Sequence, residues 1–277
     1  MKTTTAAVFV MALQQVLLYA RLSAQVGQPA TVTQIVNQML QAEAAAWKGR
    51  QHFLYRNEER SNRTNGALWD ELVVETSDGS MQRLLSEDGK PLTDSQRIAE
   101  DQRIAYLANH PSEFRRKAQG RKEDEARMPE LLREIPNIFL FRSLDSVGDY
   151  TRIAFQPNPT FHEKSYQDRV VHSMAGILII HKPEMRLSEL DAHLEHKVEF
   201  GFGILGVLRD KTNLSLTRGE VSAGQWTTTK LRFHLDGSIL LLKTISRDLD
   251  SSRHGFKPVG HDLNVAEAAS IVRSNAF

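Results

Sequence analysis

The chain has 277 residues, of which 40% are hydrophobic, so it is long enough to bury a sizeable core. Its 35 Lys and Arg residues are balanced by 34 Asp and Glu residues, which argues against a general nucleic-acid binder, because such proteins need a basic surface. The sequence has no cysteine, which excludes disulfides, thiol nucleophiles, cysteine zinc sites and a lipid-anchoring cysteine.

The first 24 residues have the pattern of a secretory signal peptide. Lys2 supplies a short positive region, residues 6–20 are mostly apolar, and Ala24 offers a small residue at the cleavage position. The apolar stretch is short for a membrane span, and Arg21 closes it. We therefore predict export to the periplasm with cleavage near Ala24, and an uncleaved N-terminal anchor is the alternative. No later segment has the roughly 18 apolar residues of a membrane-spanning helix, so we expect no integral span in the mature chain.

Residues 31–49 are predicted to form an amphipathic helix, because apolar residues recur there at three- and four-residue steps. Either of two threonines near its start is a candidate N-cap, and Gly49 is a candidate end. After Gly49 the apolar period changes to two, which is typical of strands. The closely spaced turn signals Asp78-Gly79 and Asp88-Gly89 indicate a meander of antiparallel strands.

Residues 93–135 form a segment of a different kind, rich in charges and in helix-forming residues. The break at residues 109–111 (Asn-His-Pro) predicts at least two helices. A basic run ending at Lys122 is followed directly by three acidic residues, which is typical of a solvated helix with intrahelical ion pairs. We interpret the segment as a helical insertion on the sheet. A docking surface for an acidic partner or for lipid headgroups is the weaker alternative.

From residue 138 onward the strand patterns return, and Asp236-Gly237 is a hairpin signal between two of the later strands. Residues 176–180 are apolar at successive positions, so that strand needs cover on both faces. We assign residues 25–265 to a single β-rich domain and residues 266–277 to a C-terminal tail. Residues 262–275 would either end in a short helix or fray.

Three patterns could indicate a nucleotide site, a metal site or a catalytic serine, but each has a simpler structural explanation. Residues 201–206 match G-x-G-x-x-G, but their flanks predict antiparallel strands, so we interpret them as a glycine-rich bend. His193 and His196 would lie on opposite faces of a strand and could not share a metal. Neither G-x-S-x-G nor S-x-x-K occurs. We therefore expect no metal, no cofactor and no catalytic residues, with a hydrolase of unknown type as the remaining enzyme alternative.

The remaining signal is a set of large apolar side chains on or beside the predicted strands and helix. Each one is most simply explained as core, but together they would suit the lining of a ligand cavity, since such cavities are mostly apolar. The candidate cavity residues are Trp47, Phe53, Trp69, Phe139, Phe141, Ile179, Phe200, Phe202, Trp226, Phe233 and Leu241.

Residues 175–187, 198–206 and 224–230 carry a resemblance to a known family. The first segment is similar to a hairpin of glycine, apolar strand, turn and apolar strand. The last resembles a strand entry of the pattern small-Trp-x-Pro-Thr, with Thr227 and Thr228 where that pattern has a Pro nearby. With the signal peptide, N-terminal helix, meander and inserted helices, the chain resembles the periplasmic outer-membrane lipoprotein-sorting proteins of LolA/LolB type. The resemblance implies an α+β fold with a strongly curved antiparallel sheet, an open half-barrel whose concave side is covered by the N-terminal and inserted helices.

The same resemblance implies a function. The chain would be a non-catalytic periplasmic carrier or binding protein that holds lipoprotein acyl chains, or another apolar ligand, on the concave face of the sheet. Without an N-terminal cysteine it resembles a soluble carrier more than an anchored acceptor. The alternative from another class is a cell-envelope scaffold that binds a protein partner through the sheet surface. We expect no nucleic-acid partner in either case.

Overall fold

The computed structural model of the protein describes residues 31–200, 206–239 and 243–274. These residues form an α+β fold of five helices and one 13-stranded antiparallel sheet. The helices are α1 (Val32–Lys48), α2 (Asp94–Asn109), α3 (Pro111–Ile138), α4 (Tyr166–His172) and α5 (Val265–Ser274). The strands are β1 (His52–Ser61), β2 (Leu68–Thr76), β3 (Gly79–Glu87), β4 (Lys90–Pro91), β5 (Phe139–Val147), β6 (Tyr150–Pro157), β7 (Met174–His181), β8 (Arg186–Leu194), β9 (Val198–Phe200), β10 (Gly206–Leu208), β11 (Asn213–Ser222), β12 (Gln225–Ile239) and β13 (Lys243–Val259).

The strands follow the order β4-β3-β2-β1-β13-β12-β11-β8-β7-β6-β5, and the short strands β9 and β10 branch from β12. Because β4 and β5 lie at opposite ends of this order, the sheet is open and does not close into a barrel. The prediction of an α+β fold built on a large antiparallel sheet is confirmed. The predicted signal peptide, Phe202 and Leu241 lie outside the described residues.

Helix α1 begins and ends where the sequence predicts. Thr31 and Gln34 form a reciprocal capping box, with each side chain accepting a hydrogen bond from the backbone N–H of the other residue. Gly49 follows the last turn of the helix. The buried side chains Val36, Met39 and Leu40 form one stripe, which packs on strands β5 to β8.

The charged insertion forms two helices, as predicted, and the break falls at His110. Helix α3 connects two distant parts of the fold. Near its start Phe114 packs into the core beside β2 and β3, whereas Leu131 and Leu132 near its end pack with α1. None of the helices in the described ranges is long and apolar enough to cross a membrane.

The two faces of the sheet carry different cores. The face covered by α1, here called the α1 face, holds the cluster of Val36, Phe139 and Leu178. The opposite face, here called the α5 face, holds a cluster in which Leu72 and Val74 pack against α2, α3 and α5. Following directly paired residues across the sheet places Leu178, Leu190, Leu216, Leu231, Ser251 and Glu59 on the α1 face.

The C-terminal residues correct one prediction. Residues 266–277 were expected to form a tail outside the domain, but α5 packs into the core of the α5 face. Its buried residues Val265, Ala268, Ala269 and Val272 follow the spacing of one helical stripe. The backbone carbonyls of residues 272 and 273 accept hydrogen bonds from the Arg83 guanidinium, which holds the end of the helix on β3.

The predicted hairpin turn at Asp236-Gly237 is wrong. Strand β12 runs straight through both residues, which pair with Ser246 and Ile245 of β13. At this position the glycine allows a neighbouring strand to approach closely. A Cβ at Gly237 would lie 2.7 Å from the carbonyl oxygen of Val207 in β10, so a side chain would push β10 off the edge of β12.

Gly176 in β7 is required for the same physical reason. A Cβ built there would overlap the carbonyl oxygen of Asp191 in the neighbouring strand β8. We expect Gly176→Ala to destabilise the protein by about 1–3 kcal/mol through forced strand displacement, measured by urea denaturation. Gly219→Ala is the matched control, because its Cβ would only meet a methyl group of Thr229 at 3.7 Å. Equal stability of the two variants would contradict the close approach of β7 and β8.

Candidate functional site

A cavity of about 400 Å³ lies on the α1 face, between α1, α3 and strands from both halves of the sheet. Trp47 of α1 and Met128 and Leu132 of α3 cover one side of it. Phe53 of β1 and Leu216 of β11 belong to the strands that line the other side. The volume falls within the roughly 300–1,000 Å³ of typical small-molecule sites.

One wall of the cavity carries a buried ion cluster rather than apolar side chains. The Glu43 carboxylate accepts hydrogen bonds from Nε and Nη2 of Arg186 at 3.0 and 3.1 Å. It also pairs with Nη1 of Arg218 at 2.6 Å and accepts the Leu187 backbone N–H at 3.0 Å. The three charged side chains are 10%, 8% and 16% exposed for Glu43, Arg186 and Arg218. This cluster ties α1 to β8 and β11 at one wall of the cavity.

The charges of the cluster decide the protonation of its carboxylate. Burial acts to raise the pKa of Glu43, but the charges and hydrogen bonds of Arg218 and Arg186 outweigh it and lower that pKa below its ordinary value. Glu43 is therefore ionised at neutral pH, and the cluster of two guanidiniums and one carboxylate carries a net positive charge.

Other charged residues surround the mouth of the cavity. Arg50 Nη2 contacts Glu125 of α3 at 2.7 Å, and the Arg50 guanidinium lies 4.1 Å from the ring centroid of Trp47. Lys122 of α3 also lines the cavity and lies 3.8 Å from Asp78. These contacts hold α3 across the opening.

Arg253 of β13 reaches the cavity from the opposite side. Its guanidinium carbon lies 5.6 Å from the ring centroid of Tyr55. Among the described side chains it has no ion-pair partner, in contrast to the Arg186 and Arg218 guanidiniums.

A second polar network lies further along the α1 face, outside the cavity. Arg63 pairs with Glu59 and with the buried Glu71, with N–O distances of 2.7–3.0 Å. Burial acts to raise the pKa of Glu59, but hydrogen bonds from Arg63 and Ser61 lower it overall. The pKa of Arg63 is raised, chiefly by its hydrogen bonds to Glu71. This network pairs the charged side chains of Arg63, Glu59 and Glu71 with one another, away from the cavity.

The structure brings three of the predicted cavity residues together: Trp47, Phe53 and Trp226 all line the cavity. Phe139 and Phe141 instead pack against each other and against Phe155 in the filled core beneath α1. The prediction that Phe139 and Phe141 line the cavity is therefore corrected, because both side chains pack in the hydrophobic cluster beneath α1.

The other predicted residues lie elsewhere. Trp69 packs beside the Arg63 guanidinium, and Phe200 stacks edge-on with Tyr166 of α4. Ile179 alternates with the inward residue Leu178 and so belongs to the α5 face. Phe233 lines a separate depression, which is formed by the opposite ends of the central strands β1, β11, β12 and β13.

The residues that sequence reasoning missed are mainly the charged ones: Glu43, Arg186, Arg218 and Arg253. The sequence does carry one sign of them: a charged residue at a strand position where the alternation of apolar and polar residues predicts a buried side chain. On β8, Arg186 and Ser188 share a face with the apolar Ala192 and Leu194, a pattern that predicts an inward-facing charge in need of a partner.

The residues considered for other chemistry form no site of that kind in the described ranges. Strands β9 and β10 pair antiparallel beside the G-x-G-x-x-G segment, so its flanks lack the strand-to-helix geometry of a dinucleotide site. His234 Nδ1 contacts Asp248 at 2.6 Å, but Ser246 hydrogen-bonds to the same Asp248 rather than to the imidazole ring. No group of three or more metal-ligating side chains occurs among the residues the structure describes.

Comparison of the chain with models of protein families, with curated proteins and with solved structures gives no match in any of the three.

Proposed function

We propose that this protein is a non-catalytic carrier or binding protein of the periplasm that holds an acyl chain, of a lipoprotein or of another lipid, in the cavity of the α1 face. The observation that carries the proposal is a cavity of about 400 Å³ bounded by Trp47, Phe53, Leu132 and Leu216. Transfer of an acyl chain from water to such a recess is favourable by about 0.8 kcal/mol per buried methylene. The open sheet, with α1 and the C-terminal part of α3 packed on one face, is compatible with a half-barrel of LolA/LolB type.

The direct test is chemical analysis of the protein as purified from the periplasm. Organic extraction followed by mass spectrometry should recover an apolar ligand in near-stoichiometric amount. Preparations that are repeatedly empty, and that also fail to bind an added fluorescent apolar probe, would contradict the proposal.

A cavity-filling variant ties binding to this recess. Thr228 of β12 lines the cavity, and Thr228→Phe introduces a bulky side chain into it without breaking the pattern of the strand. We expect at least a tenfold loss of affinity for an apolar fluorescent probe, because about 1.4 kcal/mol of lost burial already accounts for that factor. Lys230→Phe is the control, since it adds the same side chain at an exposed position two residues further along. If both variants bound the probe with equal affinity, the binding site would have to lie outside this cavity.

The alternative, an envelope scaffold, is favoured by one feature of the structure. The edge strand β5 exposes Leu140 and Val147 at 45% and 69%. An unpaired edge with exposed apolar residues is a template for strand addition. A Val147→Lys variant that abolishes co-purification of an envelope protein, while leaving probe binding intact, would favour this function over the carrier.

A further inference from the structure

The walls of the cavity carry more positive than negative charge. Five cationic side chains line it against three carboxylates. The cations are Arg50, Lys122, Arg186, Arg218 and Arg253, and the carboxylates are Glu43, Glu75 and Glu125. A purely apolar ligand would leave this excess charge without a partner. Burying a charged group costs free energy unless an opposite charge pairs with it.

Two of these cations share a single counter-charge. Arg186 and Arg218 both bind Glu43, and all three side chains are at most 16% exposed. Arg218 also donates from Nη2 to the backbone carbonyl of Trp226, which fixes its orientation at the cavity wall. The cluster therefore presents a fixed excess of positive charge to whatever occupies the cavity.

Arg253 adds a cation without a carboxylate of its own among the described side chains. Its contact with the Tyr55 ring, at 5.6 Å from the ring centroid, is a cation–π contact and supplies no counter-charge. A planar guanidinium with free donors is the preferred protein partner of a carboxylate or phosphate.

We propose that the ligand of this cavity is an anionic amphiphile, a single acyl chain with a carboxylate or phosphate head that contacts Arg253 and Arg218. The chain lies against Trp47, Phe53 and Leu216, and the head neutralises the excess charge of the cluster. The volume of about 400 Å³ lies near the lower end for ligand sites, which favours one chain over several. This inference rests on the proposed function, because it concerns the same cavity.

The test compares head groups on a constant chain. The purified protein is loaded with the uncharged probe N-phenylnaphthylamine, and dodecanoate, dodecanol and dodecyl phosphate are titrated against it at a pH of about 8, where the carboxylate is ionised. We expect both anions to displace the probe at about tenfold lower concentration than dodecanol, the ratio expected for one charge-assisted hydrogen bond. Equal displacement by dodecanol and dodecanoate would overturn the anionic ligand and leave the proposed function standing. Failure of the probe and of all three amphiphiles to bind would overturn both.

Variants at Arg253 assign the preference to this side chain. Arg253→Met should remove most of the advantage of dodecanoate over dodecanol, whereas Arg253→Lys should keep part of it. Arg232→Met is the matched control, since Arg232 is an exposed residue of the neighbouring strand. An undiminished preference in Arg253→Met would exclude Arg253 as the head-group contact.

Competition by inorganic phosphate distinguishes a site for an amphiphile from a site for a free anion. If phosphate displaced dodecanoate at equal concentration, the proposal would be overturned. Failure of phosphate to compete supports it.

Discussion

Replacing Glu43 by Gln is expected to destabilise the protein by about 3–5 kcal/mol, the cost of removing one partner from a buried ion cluster. The variant keeps an acceptor for the Leu187 backbone N–H but leaves Arg186 and Arg218 facing each other without a counter-charge. Urea denaturation at neutral pH measures the difference.

Glu125→Gln is the control for this effect. Its partner Arg50 and Glu125 itself are 40% and 30% exposed, so water screens the pair and its loss should cost less than about 1 kcal/mol. A Glu43→Gln variant as stable as Glu125→Gln would mean that the Glu43 cluster is hydrated in solution. The description of this cavity wall as a buried charged surface would then be wrong.

The acid dependence of stability provides an independent check on Glu43. Burial opposes ionisation, but Arg218 and Arg186 lower its pKa in the folded protein below the ordinary value of 4.5. A carboxyl with a depressed pKa contributes stability that is complete above its unfolded pKa and is lost as the pH falls through the folded pKa. The stability difference between the native protein and Glu43→Gln should therefore narrow below a pH of about 4.5. A difference that stays constant down to a pH of about 3 would contradict the pKa shift.

Elements whose signals are local were predictable from the sequence. Helix α1 is defined by its capping threonine and by the apolar stripe that follows it. The turn at Asp88-Gly89 has φ values of 47° and 73° at its two residues, a backbone that Asp and Gly tolerate well. Each of these features depends on a few consecutive residues, so the sequence contains all the information it needs.

Asp236-Gly237 shows where such local reasoning ends. The dipeptide is the same as at residues 88–89, but here the glycine serves the close approach of Val207 from β10 and the strand continues. Nothing within a few residues of Gly237 distinguishes a turn glycine from a packing glycine. The difference arises from a strand some thirty residues away in the chain.

The candidate site was predictable only in its apolar part. Trp47, Phe53 and Trp226 stand out in the sequence as large aromatic residues beside regular elements, and the structure places all three at the cavity. The charged cluster joins Glu43 to Arg186, which lies 143 residues away, and single-sequence patterns carry no information about such pairs. The charge of the cavity, which decides the class of ligand we propose, is thus a property of the fold.

Val272→Asp is expected to destabilise the protein by at least about 4 kcal/mol, because it places an unpaired carboxylate at a fully buried position of α5. Val272 packs among the side chains of the α5 face, where Leu72 and Met81 are also fully buried. The adjacent Arg83 already donates to the backbone carbonyls at the end of the helix. The new charge therefore lacks a ready partner inside the core.

Ser270→Asp gives the matched control, since it adds the same carboxylate to the exposed side of the same helix and should change stability by less than about 0.5 kcal/mol. A small, equal effect of both substitutions would contradict the packing of α5 into the core of the α5 face. A large effect of Val272→Asp alone would mean that the α5 face needs its last helix. In that case the sheet requires packing on both faces, with the core of the α5 face supporting β1 and β2 while the α1 face keeps its cavity. That division explains how one sheet can be stable and still hold a recess, because the face opposite the cavity is closed by its own helices.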